Sequence, residues 1–181
     1  MILLSVFVSP IQLGFYYGAN RIYTAFNSLY GPIGQAFYPR ISAVNSKNNS
    51  KAKILIRFFL GLMIMMGVLF FIIIFLFSDK IILLFLGENY LAANNLLKFF
   101  AVVLPLTSIS HVLGRQWLMI IYKDYFYSVT QSISSVVAFI CLVFLLIGKN
   151  GIISMPISLI IFESLSISMI LIYLLFNNES T

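Results

Sequence analysis

Residues 57–77 read RFFLGLMIMMGVLFFIIIFLF. Past Arg57 this stretch carries almost no polar atom. As a helix rising about 1.5 Å per residue, it is as long as the roughly 30 Å hydrocarbon core of a bilayer. A run of this kind has one stable home, the inside of a membrane. The whole 181-residue chain agrees: 61% of it is hydrophobic, 9% is charged, and the mean hydropathy is +1.05. A soluble domain is about a quarter charged.

Three further stretches, 96–121, 125–147 and 151–176, meet the same length and apolarity with scattered Ser, Thr and Gly. Residues 14–38 meet it in length but are more polar. The expectation is an all-α polytopic bundle, a single membrane domain over 1–181 with about five full spans. The opening MILLSVFVSP is too short to cross. It reads as the last turns of a span whose beginning is missing, ended by Pro10. Residues 39–56 form a polar, basic connection, and 78–95 a longer one with an apolar patch expected to be a short interfacial helix. The other two connections are tight turns.

The net charge of +6 lies mostly beside apolar runs. That placement sets orientation in the membrane and gives no basic patch for nucleic acid. Arg40, Lys47, Lys51, Lys53 and Arg57 cluster at one loop, which is expected to be cytoplasmic. Alternation then puts Lys123 and the C-terminus inside, and Lys80, Lys98 and Lys149 at the outer face. The single cysteine, Cys141, sits in an apolar run and allows neither a disulfide nor a cysteine-based metal site.

The polar residues inside spans carry the functional argument. At about 100° per residue, Asn20, Arg21, Thr24, Asn27, Ser28, Gly31 and Gln35 share a face about 120° wide. Ile22, Ala25, Phe26, Leu29, Ile33 and Phe37 fall elsewhere. A polar stripe this continuous is too costly against lipid, so it must face protein or a hydrated cavity. Gly31-Pro32 and Gly34 weaken the same helix. A second stripe on 96–121 holds Thr107, Ser108, His111 and Arg115, with Pro105 loosening that helix. Arg115 could instead snorkel to the interface. Glu163 is the one acid inside a span, placed for ion coupling or for a structural pair with Arg21, Arg115 or a backbone donor. Ser128, Gln131, Ser132 and Ser135 line one side of 125–147, a pattern of close helix packing. One His gives no metal site, and no nucleophile elbow, carboxylate pair or phosphate loop appears. The chain is therefore expected to be no enzyme and to need no cofactor or metal.

QLGFYYGANRIYTAFNSLYGPIGQAFYPRIS, and after the basic loop LLFLGENYLAANNLLKFFAVVLPLTSISHVLGRQWLM, resemble the C-terminal half of bacterial O-antigen and polysaccharide flippases. These belong to the multidrug/oligosaccharidyl-lipid/polysaccharide exporter superfamily. The anchors are Gly14-Phe15-Tyr16, Ala19, Arg21, Tyr38-Pro39-Arg40, Gly87-Glu88 and Tyr90. The resemblance implies two six-helix lobes around a central cavity in the bacterial inner membrane, working by alternating access. It also implies an undecaprenyl-pyrophosphate-linked oligosaccharide as substrate. This chain would be the second lobe, needing the missing N-terminal lobe or a second copy. On that reading Arg21, His111 and Arg115 would meet the anion, and Asn20, Asn27 and Gln35 the sugar hydroxyls. The rivals are a drug or cation exporter of the same superfamily and a non-transporting assembly subunit.

Overall fold

The computed structural model describes residues 2–118, 124–148 and 151–177. Among these residues the chain is all-α with no strand. The helices are α1 (Ile2–Phe7), α2 (Pro10–Ser28), α3 (Tyr30–Asn45), α4 (Asn49–Phe85), α5 (Asn94–Ser110), α6 (Asp124–Ile147) and α7 (Ser154–Asn177). Short 3-10 turns at Glu88–Ala93 and Gly151–Ile153 precede α5 and α7, and α5 runs on as a π-helical segment, His111–Leu118. Four helical stretches are long and apolar enough to cross a membrane: Ser50–Phe85, Glu88–Gly114, Asp124–Ile147 and Gly151–Phe176. The chain is a multi-pass membrane protein.

Local chemistry moves several boundaries from where the sequence placed them. Pro10 opens α2 rather than ending α1. Ser9 caps α2, its Oγ accepting from the Gln12 backbone N–H while Gln12 Oε1 accepts from the Ser9 N–H, both at 3.3 Å. This is a capping box with proline at the first helical position, where its missing N–H costs nothing. The 14–38 stretch is two helices that meet at Leu29, and it is not among the four apolar crossings. Pro32 then lies in the first turn of α3, where proline is tolerated. The break therefore comes just before the Gly31-Pro32 pair.

Residues 78–85 continue α4 as helix past a kink at Phe77 (φ −113°, ψ 16°). They hold because one side of this turn packs inward, with Ser78 and Ile82 buried. Gly87, at φ +85°, ends the helix in a backbone region that glycine enters freely, and its N–H reaches the Ile82 carbonyl at 3.1 Å. Asn94 Nδ2 donates to Asp79 Oδ1, tying the far end of α4 to the start of α5.

The bundle is organised around α5. Of the most apolar stretch of α5, 61% is buried, against 22%, 28% and 17% for α4, α6 and α7. Leu96, Leu97, Phe100, Ala101, Val103 and Leu104 fill the core. Tyr23 of α2 stacks on Phe100 with ring centroids 5.1 Å apart. Phe37 of α3 stacks on Phe59 of α4 at 4.5 Å, and Phe126 of α6 on Tyr173 of α7 at 4.0 Å. The outer faces of α4, α6 and α7 present Met65, Leu69, Ile72, Phe139, Phe144 and Leu175 outward, as lipid-facing helices do.

Gly67 sets the closest approach of α4 to α5. A β-carbon there would lie 2.8 Å from Pro105 Cα and 2.6 Å from Ser108 Oγ. Gly67→Ala should therefore destabilise the bundle by about 1–3 kcal/mol, the cost of overpacking. Gly61→Ala, with nothing within 4 Å of the added atom, should be neutral or stabilising by up to about 1 kcal/mol through helix propensity. Unfolding midpoints of the two variants in detergent check this. Equal shifts would mean that the α4–α5 approach is not tight at Gly67.

Candidate functional site

A cavity of about 350 Å³ opens between α2, α5, α6 and α7. Tyr23, Asn27, Thr107, Ser110, His111, Tyr127, Gln131 and Glu163 give it a polar wall, and Phe162 completes it. Each donor arrives for a local reason. Tyr23 and Asn27 are four residues apart and so share a face of α2. Thr107, Ser110 and His111 share the matching face of α5 at spacings of three and four. Glu163 lies about 14 Å along α7 from its first residue, near the middle of the helix.

Glu163 is 8% exposed and Thr107 is 5% exposed, so the carboxyl sits inside the bundle. Thr107 Oγ1 lies 3.1 Å from the Val103 carbonyl oxygen and 3.2 Å from Glu163 Oε1. One hydroxyl hydrogen serves one acceptor at full strength. With Glu163 ionised, Thr107 must choose between carboxylate and carbonyl. With Glu163 protonated, the acid can donate to Thr107 while Thr107 donates to Val103, and both contacts are made. Thr107 thus ties the carboxyl of α7 to the backbone of α5.

His111 stands at the junction of α5 with the π-helical segment, and its ring centroid is 6.2 Å from that of Tyr30. The Tyr30 hydroxyl donates to the Leu104 carbonyl at 3.1 Å, bracing α3 on α5. Asn27 Oδ1 is buried with no hydrogen-bond partner among the described residues. A buried amide oxygen in a cavity this size is a place for water or a ligand hydroxyl. Among the described residues no three His, Cys, Asp or Glu side chains gather as a metal would need.

The structure divides the residues that the sequence singled out. Asn27, His111 and Glu163 come together at this cavity. Arg21 does not join them. It is exposed and lines a second cavity, of about 380 Å³, with Ile22, Ala25, Phe26, Phe85 and Leu86. Asn20 is half-buried, whereas Thr24, Ser28 and Gln35 are exposed, so the long stripe looks outward over much of its length. Arg115 lies in the π-helical segment, and its side chain is outside the described residues. In α6 the packing face is Thr130, Ser134 and Ala138. Ser128, Ser132 and Ser135 are exposed, and the last two bond back to carbonyls four residues earlier at 2.9 and 2.7 Å. Gln131 instead reaches Ser166 of α7 at 3.3 Å. Tyr23, Tyr127 and Ser110 are additional cavity residues. Tyr23 could have been found from its four-residue spacing to Asn27, but nothing in the sequence brings Tyr127 to the same place.

The architecture and the site define a polytopic helical membrane protein with a polar chamber at its centre. The chain is 33% identical over 116 residues to an Escherichia coli (strain K12) protein named "Putative O-antigen transporter". The matched stretch is 64% of this chain and 28% of that protein's length. No family model and no solved structure matches the chain.

The Thr107–Glu163 contact should be energetically coupled. Thr107→Val removes the donor and should cost about 1–3 kcal/mol, because a buried acceptor loses its partner. In the Glu163→Leu background, which removes the acceptor, the same change should cost less, with a coupling on the order of 0.5–3 kcal/mol. Unfolding midpoints of the two single variants and the double variant measure this. Strict additivity would show that the contact carries no energy.

Proposed function

We propose that the chain forms one lobe of a flippase for lipid-linked oligosaccharide in a bacterial inner membrane, with its C-terminus cytoplasmic. The observation that carries this reading is the outward polar stripe. Arg21, Thr24, Ser28 and Gln35 are exposed on α2 and α3, whereas the outer faces of α4 and α7 are mainly Phe, Leu and Ile. Polar groups facing hydrocarbon are too costly to be scattered there. Water and a second wall meet that requirement, and the wall would be a further lobe or a second copy of this chain. The oligosaccharide chain and its diphosphate would travel in the hydrated cleft between the walls, and rocking of the two bundles would expose it to each side in turn. The name of the K12 relative supports the same substrate class.

In this reading Arg21 meets the diphosphate, with His111 and Arg115 as further cationic groups, and Asn20, Asn27 and Gln35 meet sugar hydroxyls. A guanidinium grips phosphate oxygens in a fork that an ammonium cannot reproduce. Glu163 is the coupling group, because adding or removing its proton changes the charge of a buried chamber. No covalent bond of the substrate is made or broken, so the protein acts as a carrier and not as an enzyme.

One observation favours a second reading. The 350 Å³ cavity gathers Glu163 with Tyr23, Tyr127 and Phe162, an acid among aromatic rings, which suits an organic cation. Transport assays separate the two. Co-expressed with the other lobe in a flippase-deficient strain, Arg21→Ala should lower surface polysaccharide per unit of protein by about tenfold or more, the loss of a charge-assisted contact. Arg21→Lys should restore it in part. Normal polysaccharide in Arg21→Ala, together with cation efflux that Glu163→Gln abolishes, would transfer the assignment to the cation exporter.

Orientation has its own test. In a Cys141→Ala background, Ser46→Cys in the basic loop should resist a membrane-impermeant thiol reagent in intact cells, and Asn89→Cys should react. The reverse labelling would invert the topology and the direction of transport.

A further inference from the structure

At its basic end the bundle has a cleft between α3 and α4 that the transport reading leaves unused. Two adjoining hollows make it up. One, of about 490 Å³, is lined by Arg40, Ala43, Val44, Lys47, Asn48 and Lys51. The other, of about 420 Å³, is lined by Arg40, Val44, Lys51, Ile54, Leu55 and Phe58. Arg40, Val44 and Lys51 belong to both, so the hollows are continuous.

The cleft changes character along its length. Three cations, Arg40 from α3, Lys47 from the turn and Lys51 from α4, face the first hollow, with no acid among the residues that line it. In the second, the wall becomes hydrocarbon. Ile54 and Phe58, four residues apart on α4, are 66% and 65% exposed. From Lys51 to Phe58 the helix advances about 10 Å, roughly the depth over which a leaflet passes from headgroup to acyl chain. The walls are fixed from behind by the Phe37–Phe59 stack and by buried Ile41, Ala52 and Ile56. Asn48 Oδ1 already caps α4 by accepting from the Lys51 N–H at 3.0 Å, which leaves its amide N–H groups to donate into the cleft.

A loop whose charges served only to orient the chain would need no concave surface shared by two helices and no apolar floor beside it. We propose that this cleft is a binding site for an anionic phospholipid. Its phosphate sits among Arg40, Lys47 and Lys51, and an acyl chain lies along Ile54, Leu55 and Phe58. Charge complementarity selects an anionic over a zwitterionic headgroup, and the apolar floor selects a lipid over a free anion. The site is separate from both the Glu163 cavity and the Arg21 cavity, so it does not depend on what the protein carries.

Native mass spectrometry of the purified full chain in detergent, titrated with phosphatidylglycerol or phosphatidylcholine, tests this. Phosphatidylglycerol should bind at least tenfold more tightly. The Arg40→Gln/Lys47→Gln/Lys51→Gln variant should bind it roughly a hundredfold more weakly, each charge contributing a several-fold factor. Lys80→Gln/Lys98→Gln should match the parent. Phe58→Ser should weaken binding of the diacyl lipid but leave glycerol 3-phosphate unaffected. The substituted side chains are exposed except for the half-buried Lys98, so lipid-free unfolding midpoints should not move. Should the triple variant unfold early, Lys47→Glu alone supplies the same comparison. Equal binding of the two lipids, or full displacement by glycerol 3-phosphate, would overturn the site. Displacement by an equimolar isoprenoid diphosphate would reassign the cleft to the transported lipid and overturn the phospholipid proposal.

Discussion

Everything polar inside a bilayer must find its partner within the protein or in enclosed water, and in this bundle that requirement falls on α5. It is the most buried of the crossing helices, so its side chains meet protein on nearly every side. Its first turns, rich in Leu, Phe and Val, fill the core. Its later turns carry Thr107, Ser108, Ser110 and His111, which cannot face lipid cheaply and do not pack like hydrocarbon. The neighbouring helices answer with polar groups of their own: Asn27 from α2, Gln131 from α6 and Glu163 from α7. The cavity is the space left where these groups meet.

The same helix is where the backbone is least regular. Pro105 removes one backbone donor from the ladder of α5. Six residues later the helix widens into the π-helical segment, a form that shifts the ladder by one residue. Thr107 and Ser110 lie between these two defects. Ser108 also lies there, and its hydroxyl bonds to the Pro105 carbonyl at 2.7 Å. Gly67 lets α4 approach at that point, so the irregular stretch is gripped by tight packing instead of by an unbroken ladder.

The sequence made the membrane class and the four apolar crossings legible, because each rests on a property summed over many residues, whereas the 39–56 connection is mostly helix, with α3 running to Asn45 and α4 starting at Asn49. Runs such as 57–77 leave little choice of environment. Boundaries rested on single interactions and were harder to read. Pro10 could end one helix or open the next, and the Ser9–Gln12 box decided it. Residues 78–85 could be loop or helix, and inward packing of Ile82 decided that. The site was legible in part. A 100° wheel grouped Asn27 with Arg21, but Arg21 stood at the stripe's edge, and tertiary packing turned it toward Phe85 and Leu86. The wheel also carried Arg115 forward at α-helical pitch through residues that are π-helical, which the sequence does not announce.

The charges are separated in a way that follows from these constraints. Glu163 is buried, with Thr107 Oγ1 at 3.2 Å from its Oε1 and His111 on the same cavity wall. Arg21 is exposed, beside an apolar pocket on the outer side of α2. An exposed guanidinium stays charged at any ordinary pH and is open to whatever passes along that surface. The two charges are thus held in different surroundings, one inside the bundle and one on its outer face. Because α2 carries Arg21 on one side and Asn27 on the side that lines the Glu163 cavity, one helix forms part of both walls.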